Sequence, residues 1–84
     1  MTRLEKIQSN NLSYRFGGIL DCIDDKQLSP EEVNALLSLK EDERLIAGRR
    51  ISSYAKAALE IAGIEEARGD LDAINFIKEY RAVH

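Results

Sequence analysis

The segment from residue 51 to residue 63 constrains the fold more than any other part of the sequence. It contains four alanines, which lose no side-chain entropy in a helix, and Gly63 stands where a helix C-cap is expected. Apolar residues occupy most of its helical circumference, so a surface position would leave much apolar area in water. We therefore expect a central helix here, with neighbouring helices that approach closely over the small alanine side chains.

Two polar residues mark the starts of further helices. Ser29 is followed by Pro30 at a first helical position and by Glu32 three residues later, which is the pattern of a capping box. This pattern predicts a helix over residues 30–40. Asp70 follows Gly69 and precedes an apolar face at helical spacing, and it predicts a final helix over residues 71–81.

The first third of the sequence predicts one short and one longer helix. Residues 3–8 favour a short leading helix, and Asn10 or Asn11 can cap an amphipathic helix that follows. Gly17 and Gly18 fall in the middle of this second helix, where each glycine costs up to about 1 kcal/mol relative to alanine. The pair indicates either a close crossing of two helices or a break where a ligand approaches.

These elements define the predicted fold class. No segment alternates apolar and polar residues long enough to indicate a strand. Gly48 either separates a short turn at residues 45–47 from the central helix or lies inside one long helix. With 84 residues, one proline and five glycines, the chain is predicted to be a single all-α domain over residues 1–84, a compact array of four to five antiparallel helices.

Charge and targeting signals narrow the class of partner. Twelve basic and fifteen acidic residues give a net charge of −3, whereas nonspecific nucleic-acid binding is typical of strongly basic domains. No apolar run approaches the roughly 20 residues of a membrane span, and the first residues show no signal peptide. We therefore expect a cytoplasmic protein with no membrane partner, a compartment that also suits an unpaired cysteine.

The residues that most often carry catalysis are scarce. Cys22 is the only cysteine and His84 the only histidine, so a zinc site cannot be assembled from them, and neither a metal nor a cofactor is expected. Cys22 lies on an apolar helix face, where a small core residue is favoured over a reactive thiol. The acidic runs at residues 21–25 and 65–66 are interpreted as solvated surface, and no phosphate-binding glycine loop is present. The sequence predicts no enzymatic activity.

A basic cluster is the clearest candidate for partner binding. Arg44, Arg49 and Arg50 lie close together in sequence, and guanidinium groups bind carboxylates and phosphates well. Lys40 and Lys56 are possible additions to the cluster. Internal pairing with Glu41, Asp42 and Glu43 is the interpretation that the sequence favours over partner binding. Tyr54 is a further candidate, since tyrosine combines apolar area with a polar tip, and the same property also suits it to the core.

One stretch of the sequence resembles a known class of helical repeat. Leu36 and Leu37 precede a charged turn with Asp42, then the arginine pair and the alanine-rich helix. Residues 33–63 thereby resemble a unit of the HEAT or armadillo repeats, and a degenerate unit precedes it. The resemblance implies HEAT-like helical hairpins, a scaffold role for Asp42 with Arg49 or Arg50, and a binding or adaptor function without catalytic residues.

The sequence thus favours a non-catalytic protein-interaction or adaptor module. The alternative is a nucleic-acid-associated or regulatory protein that uses Arg44, Arg49 and Arg50. A homodimer is expected, because pairing two small cores buries more apolar surface than either monomer can bury alone.

Overall fold

Five α-helices and one small β-hairpin form the fold in a computed structural model that describes residues 1–84. The elements in chain order are α1 (Arg3–Gln8), α2 (Leu12–Asp25), α3 (Pro30–Ser38), a 3-10 turn (Leu39–Glu41), β1 (Leu45–Ile46), β2 (Arg49–Arg50), α4 (Ile51–Ile61) and α5 (Leu71–Val83). The all-α prediction is confirmed. None of the helices combines the length and apolar character that a crossing of the lipid bilayer requires.

The helix boundaries follow the capping signals of the sequence. Ser29 and Glu32 form the predicted capping box at the start of α3, Asn11 caps α2, and the Asp70 carboxylate accepts from the Ala73 amide at the start of α5. At the end of α4, the amides of Gly63 and Ile64 donate to the carbonyls of Glu60 and Leu59, which is a Schellman motif. The positive φ of 77° at Gly63 explains why glycine stands there.

The centre of the fold is α4, as its apolar circumference predicts. It packs against α2, α3, α5 and the 3-10 turn, and eight of its eleven residues are buried. The main core cluster has twelve buried residues: Ile7, Ile19, Cys22, Ile23, Ala35, Leu36, Leu39, Ile51, Tyr54, Ala55, Ala58 and Leu59. A smaller cluster of Ala57, Ala67, Ala73 and Ile77 joins α5 to the other side of α4.

Gly18 settles one of the alternatives left open by the sequence. A Cβ atom at Gly18 would lie 2.8 Å from the Cβ atom of Lys6 and 2.9 Å from the amide nitrogen of Ile7, both on α1. The glycine therefore permits a close crossing of α1 and α2. Gly17 has no such neighbour within 4 Å, and α2 continues through both glycines without a break.

The prediction of no strand is wrong for residues 45–50. Leu45 pairs with Arg50 and Ile46 with Arg49 in a two-stranded antiparallel hairpin. Each strand has only two residues, too few for an alternating pattern to be visible in the sequence. Gly48 belongs to the turn of this hairpin and lies outside α4.

Two adjacent serines of α4 give a matched test of buried hydroxyl groups. Ser52 and Ser53 are both buried, but the Ser52 hydroxyl has no hydrogen-bond partner, whereas the Ser53 hydroxyl donates to Asp70 at 3.0 Å. Because an unpaired buried hydroxyl is destabilising, Ser52→Ala is expected to raise the free energy of unfolding by about 1 kcal/mol. Ser53→Ala should lower it by a similar amount in the same urea titrations. A loss of stability in Ser52→Ala would contradict the unpaired state of this hydroxyl.

A second test concerns the ion cluster that joins α1 to α3. Arg3 donates to both carboxylate oxygens of Glu32, at 2.6 and 2.9 Å, and to Asp25 at 2.7 Å. The Arg3 guanidinium, helped by the Ser29 amide, lowers the pKa of Glu32 from 4.5 to about 2. The contribution of a carboxyl with a depressed pKa is complete above its unfolded pKa and is lost as the pH falls towards its folded pKa.

We therefore expect Glu32 to contribute roughly 2 kcal/mol of stability at pH 7, which disappears between about pH 4.5 and pH 2. Urea titrations of the wild type and Glu32→Gln across this range should give two curves that converge in acid. A constant difference between the two proteins down to pH 2 would show that the pKa of Glu32 is the same in the folded and unfolded states.

Candidate functional site

The β-hairpin positions the predicted basic cluster. Ala47 and Gly48 form its two-residue turn with φ angles of 52° and 81°, the left-handed pair that a tight hairpin with natural strand twist requires. The Tyr54 hydroxyl donates to the Ala47 carbonyl at 2.8 Å, and the Ile51 amide donates to the Arg44 carbonyl at 2.8 Å. The hairpin is thus tied to α4 at its turn and at its base.

Arg44 is held beside the hairpin by a partly buried carboxylate. Its guanidinium donates to Asp42 through two nitrogens, at 2.9 and 2.7 Å, and Arg15 of α2 donates to the same carboxylate at 2.8 Å. The bonds from Arg44 lower the pKa of Asp42, with Arg15 adding to the effect, and together they outweigh the opposing influence of burial. Asp42 therefore joins α2 to the hairpin.

Arg49 links the hairpin to α5. One of its guanidinium nitrogens lies 3.0 and 3.1 Å from the two carboxylate oxygens of Glu79, and its guanidinium carbon lies 5.5 Å from the centre of the Phe76 ring. This arrangement combines an ion pair with a cation–π contact. The partner was not foreseen, since Glu79 is thirty residues away in the sequence.

Arg50 lies between two carboxylates. It donates to Glu43 at 3.0 Å, and a second nitrogen lies 3.8 Å from the Asp70 carboxylate. The expected internal pairing of the cluster is therefore found at two of the three acidic positions, Asp42 and Glu43, while Glu41 takes no part in it. The resemblance to HEAT repeats implied a scaffold role for Asp42 with Arg49 or Arg50. In the structure Asp42 binds Arg15 and Arg44, whereas Arg49 pairs with Glu79 and Arg50 with Glu43.

Tyr54 is placed differently from the expectation of a partner contact. Its side chain is only 2% exposed, and its ring packs at 4.8 Å from Phe16 and 5.2 Å from Phe76, measured between ring centres. A partner could reach Tyr54 only if the core opened. The residue instead supports the hairpin from beneath through its hydroxyl group, and the core alternative holds for it.

Asp70 is the most enclosed carboxylate near the cluster. It is 3% exposed and accepts hydrogen bonds from the Ser53 hydroxyl, the Lys56 ammonium group and the Ala73 amide at 3.0–3.2 Å. Burial alone raises the pKa of Asp70, but these bonds outweigh it, and the pKa lies below its ordinary value. Lys56 is thereby engaged in holding α5 against α4, and Lys40 pairs with Glu65.

An exposed leucine accompanies the arginines. Leu45 of β1 is 70% exposed, although it lies opposite Arg50 in a hairpin that is fixed to the core. We call Arg44, Leu45, Arg49 and Arg50 the hairpin surface. Sequence reasoning did not single out Leu45, because only the hairpin register places it among the arginines. Gly48 was the available signal for this turn, since a two-residue hairpin turn of this type favours glycine at its second position, whereas Ala47 is not a typical first residue.

The remaining candidates lie outside the hairpin surface. Cys22 is fully buried, and burial raises the pKa of its thiol to about 11, so the small-core interpretation holds. His84 is exposed and stacks on Tyr80, with 4.2 Å between ring centres. No group of three or more histidine, cysteine or acidic side chains is arranged to hold a metal ion.

Comparison of the chain with protein-family models, curated proteins and solved structures finds no match.

Proposed function

We propose that this protein is a non-catalytic protein-interaction module of the cytoplasm that docks a protein partner through the hairpin surface. The observation that carries the proposal is Leu45, a large apolar side chain displayed at 70% exposure on a hairpin that α4 holds in place. A fixed apolar residue costs little conformational entropy when a partner covers it. The surrounding arginines suit the rim of such a contact, since arginine is enriched in protein interfaces.

The pairing of the arginines favours a protein partner over a nucleic acid. Arg44, Arg49 and Arg50 are bound to the carboxylates of Asp42, Glu79 and Glu43, so much of their positive charge is offset locally, although Asp42 is shared with Arg15. A phosphate backbone would have to displace these carboxylates or approach them. A protein can instead bury Leu45 and use the open edges of the ion pairs for hydrogen bonds.

A second copy of the chain is included among the proposed partners. An isologous contact between two hairpin surfaces would place two Leu45 side chains together, each flanked by positively and negatively charged side chains. The predicted homodimer could therefore form without repulsion between like charges. Light scattering over a range of concentrations should then give twice the 9.5 kDa of one chain.

Leu45→Ser tests the hairpin surface directly, with Ile64→Ser as its matched control. Ile64 is also an exposed apolar residue, but it follows the far end of α4. Partners captured from the native host, and any self-association, should weaken by about tenfold or more in Leu45→Ser and persist in Ile64→Ser. Circular dichroism should show that both variants keep the helical content of the wild type.

Two results would overturn the proposal. If the wild type and Leu45→Ser captured the same amount of partner protein, the hairpin surface would not be the binding site. Binding to duplex DNA or RNA at low salt that weakens steeply as salt rises would favour the nucleic-acid alternative, because phosphate contacts release counterions.

A further inference from the structure

A small cleft lies at the ends of α2 and α5, away from the hairpin surface. It has a volume of about 220 Å³ and is lined by Lys26, Ile61, Tyr80, Arg81 and His84. The lining contains two side chains that are positively charged at neutral pH, Lys26 and Arg81, and an imidazole, but no acidic side chain. This charge is unexpected in a chain of net charge −3, and it gives the cleft a preference for anions.

Lys26 is distinguished by its lack of an ionic partner. Ten of the twelve lysines and arginines form ion pairs within the chain, and only Lys26 and Lys78 do not. The Lys26 ammonium group instead lies 5.6 Å from the centre of the Tyr80 ring. Arg81 across the cleft reaches Glu60 at 3.4 Å but stays 60% exposed, so part of its guanidinium group is open to a ligand.

The backbone of Lys26 sets this residue apart from an ordinary surface lysine. It caps α2 in the left-handed conformation, with a φ of 67°, and its amide donates to the Cys22 carbonyl at 2.9 Å. Glycine adopts this conformation at the end of a helix without strain, and at the end of α4 a glycine does occupy the left-handed position. Glycine would therefore suit this position of the fold at least as well as lysine. The backbone conformation does not explain why a lysine side chain is present.

We propose that this cleft binds a small phosphomonoester that carries an apolar or aromatic body. A phosphomonoester has a charge near −2 at neutral pH, which matches an unpaired lysine and a partly open arginine fork. Tyr80 and Ile61 supply the apolar surface for the organic part of the ligand. The volume admits a ligand smaller than the drug-sized molecules that occupy clefts of about 300–1,000 Å³.

Phenyl phosphate is a suitable probe, with binding followed by two-dimensional NMR of the labelled full chain. We expect shifts of the signals from Lys26, Tyr80 and Arg81, and a dissociation constant below about 1 mM at low salt. Lys26→Gly should weaken binding by about tenfold while the melting temperature stays equal or rises, because the substitution removes the ammonium group and relieves the backbone. If Lys26 had only a structural role, Lys26→Gly would not weaken phenyl phosphate binding while leaving the melting temperature equal or higher.

Two further variants complete the design. Lys26→Gln removes the charge and retains a side chain at the left-handed position, so it should match the binding loss of Lys26→Gly without its relief of the backbone. Lys78→Gln removes the other unpaired lysine, which does not line the cleft, and it should bind as the wild type does.

The proposal would be overturned by the absence of shifts at millimolar phenyl phosphate, or by unchanged affinity in both Lys26 variants. Equal affinity for inorganic phosphate and phenyl phosphate would show that the organic part of the ligand does not contribute to binding. Benzoate that binds equally well would remove the preference for a phosphate dianion.

Discussion

Replacing Asp70 with alanine is expected to lower the free energy of unfolding by roughly 3 kcal/mol at pH 7. The variant loses the cap of α5 and leaves the buried Ser53 hydroxyl and the partly buried Lys56 ammonium group without their acceptor. Urea unfolding followed by circular dichroism measures the change. Asp72→Ala is the matched control, because Asp72 is an exposed carboxylate in the same first turn of α5 and should cost less than about 1 kcal/mol.

A double variant separates the lost carboxylate from the stranded lysine. In Asp70→Ala with Lys56→Met, the ammonium group no longer needs a partner, and the methionine can cover the same apolar surface. The double variant should therefore be more stable than the sum of the two single changes predicts. Strict additivity would mean that the 3.2 Å contact between Lys56 and Asp70 contributes nothing in solution.

Alanine at two adjacent glycines is expected to have opposite effects. Gly18→Ala should destabilise the fold by about 2–3 kcal/mol, because its Cβ atom would meet the backbone of Ile7 and could be accommodated only if α1 moved away from α2. Gly17→Ala should stabilise it by about 0.5–1 kcal/mol, since it adds helix propensity in open space.

Thermal unfolding of the two glycine variants provides the measurement. At this chain length 1 kcal/mol corresponds to roughly 4–8 °C, so the two melting temperatures should differ by more than about 10 °C. Similar melting temperatures for both variants would show that α1 does not cross α2 as closely in solution as the structure describes. The same experiment would then question the position of Arg3, which α1 carries to Glu32.

The parts of the fold that the sequence predicts are those governed by local signals. Ser29, Asn11 and Asp70 each fix a helix start through a bond to an amide three residues later, and such a bond needs no information from elsewhere in the chain. The alanine-rich segment likewise predicts the central position of α4, because its apolar surface surrounds the helix. Only its last residues differ, where the Schellman motif ends the helix at Ile61.

The hairpin and the candidate sites depend on contacts between distant residues. The short strands are stabilised by Tyr54 and by Asp42, and neither residue lies within the strands themselves. The arginines could be named in advance, but the Glu79 partner of Arg49 lies on α5 and could not. The cleft brings together Lys26 and Arg81, which are fifty-five residues apart in the sequence, so no local sequence pattern predicts it.

Cys22 provides the molecule with an internal reporter of its own opening. Its thiol is completely buried and its pKa is raised to about 11. An aqueous thiol reagent can therefore modify Cys22 only when the surrounding helices separate. When reclosing is faster than modification, the labelling rate measures the population of the open form under native conditions. The labelling rate of this native cysteine can thus rank the stability of every variant described above without denaturant and without an engineered labelling site.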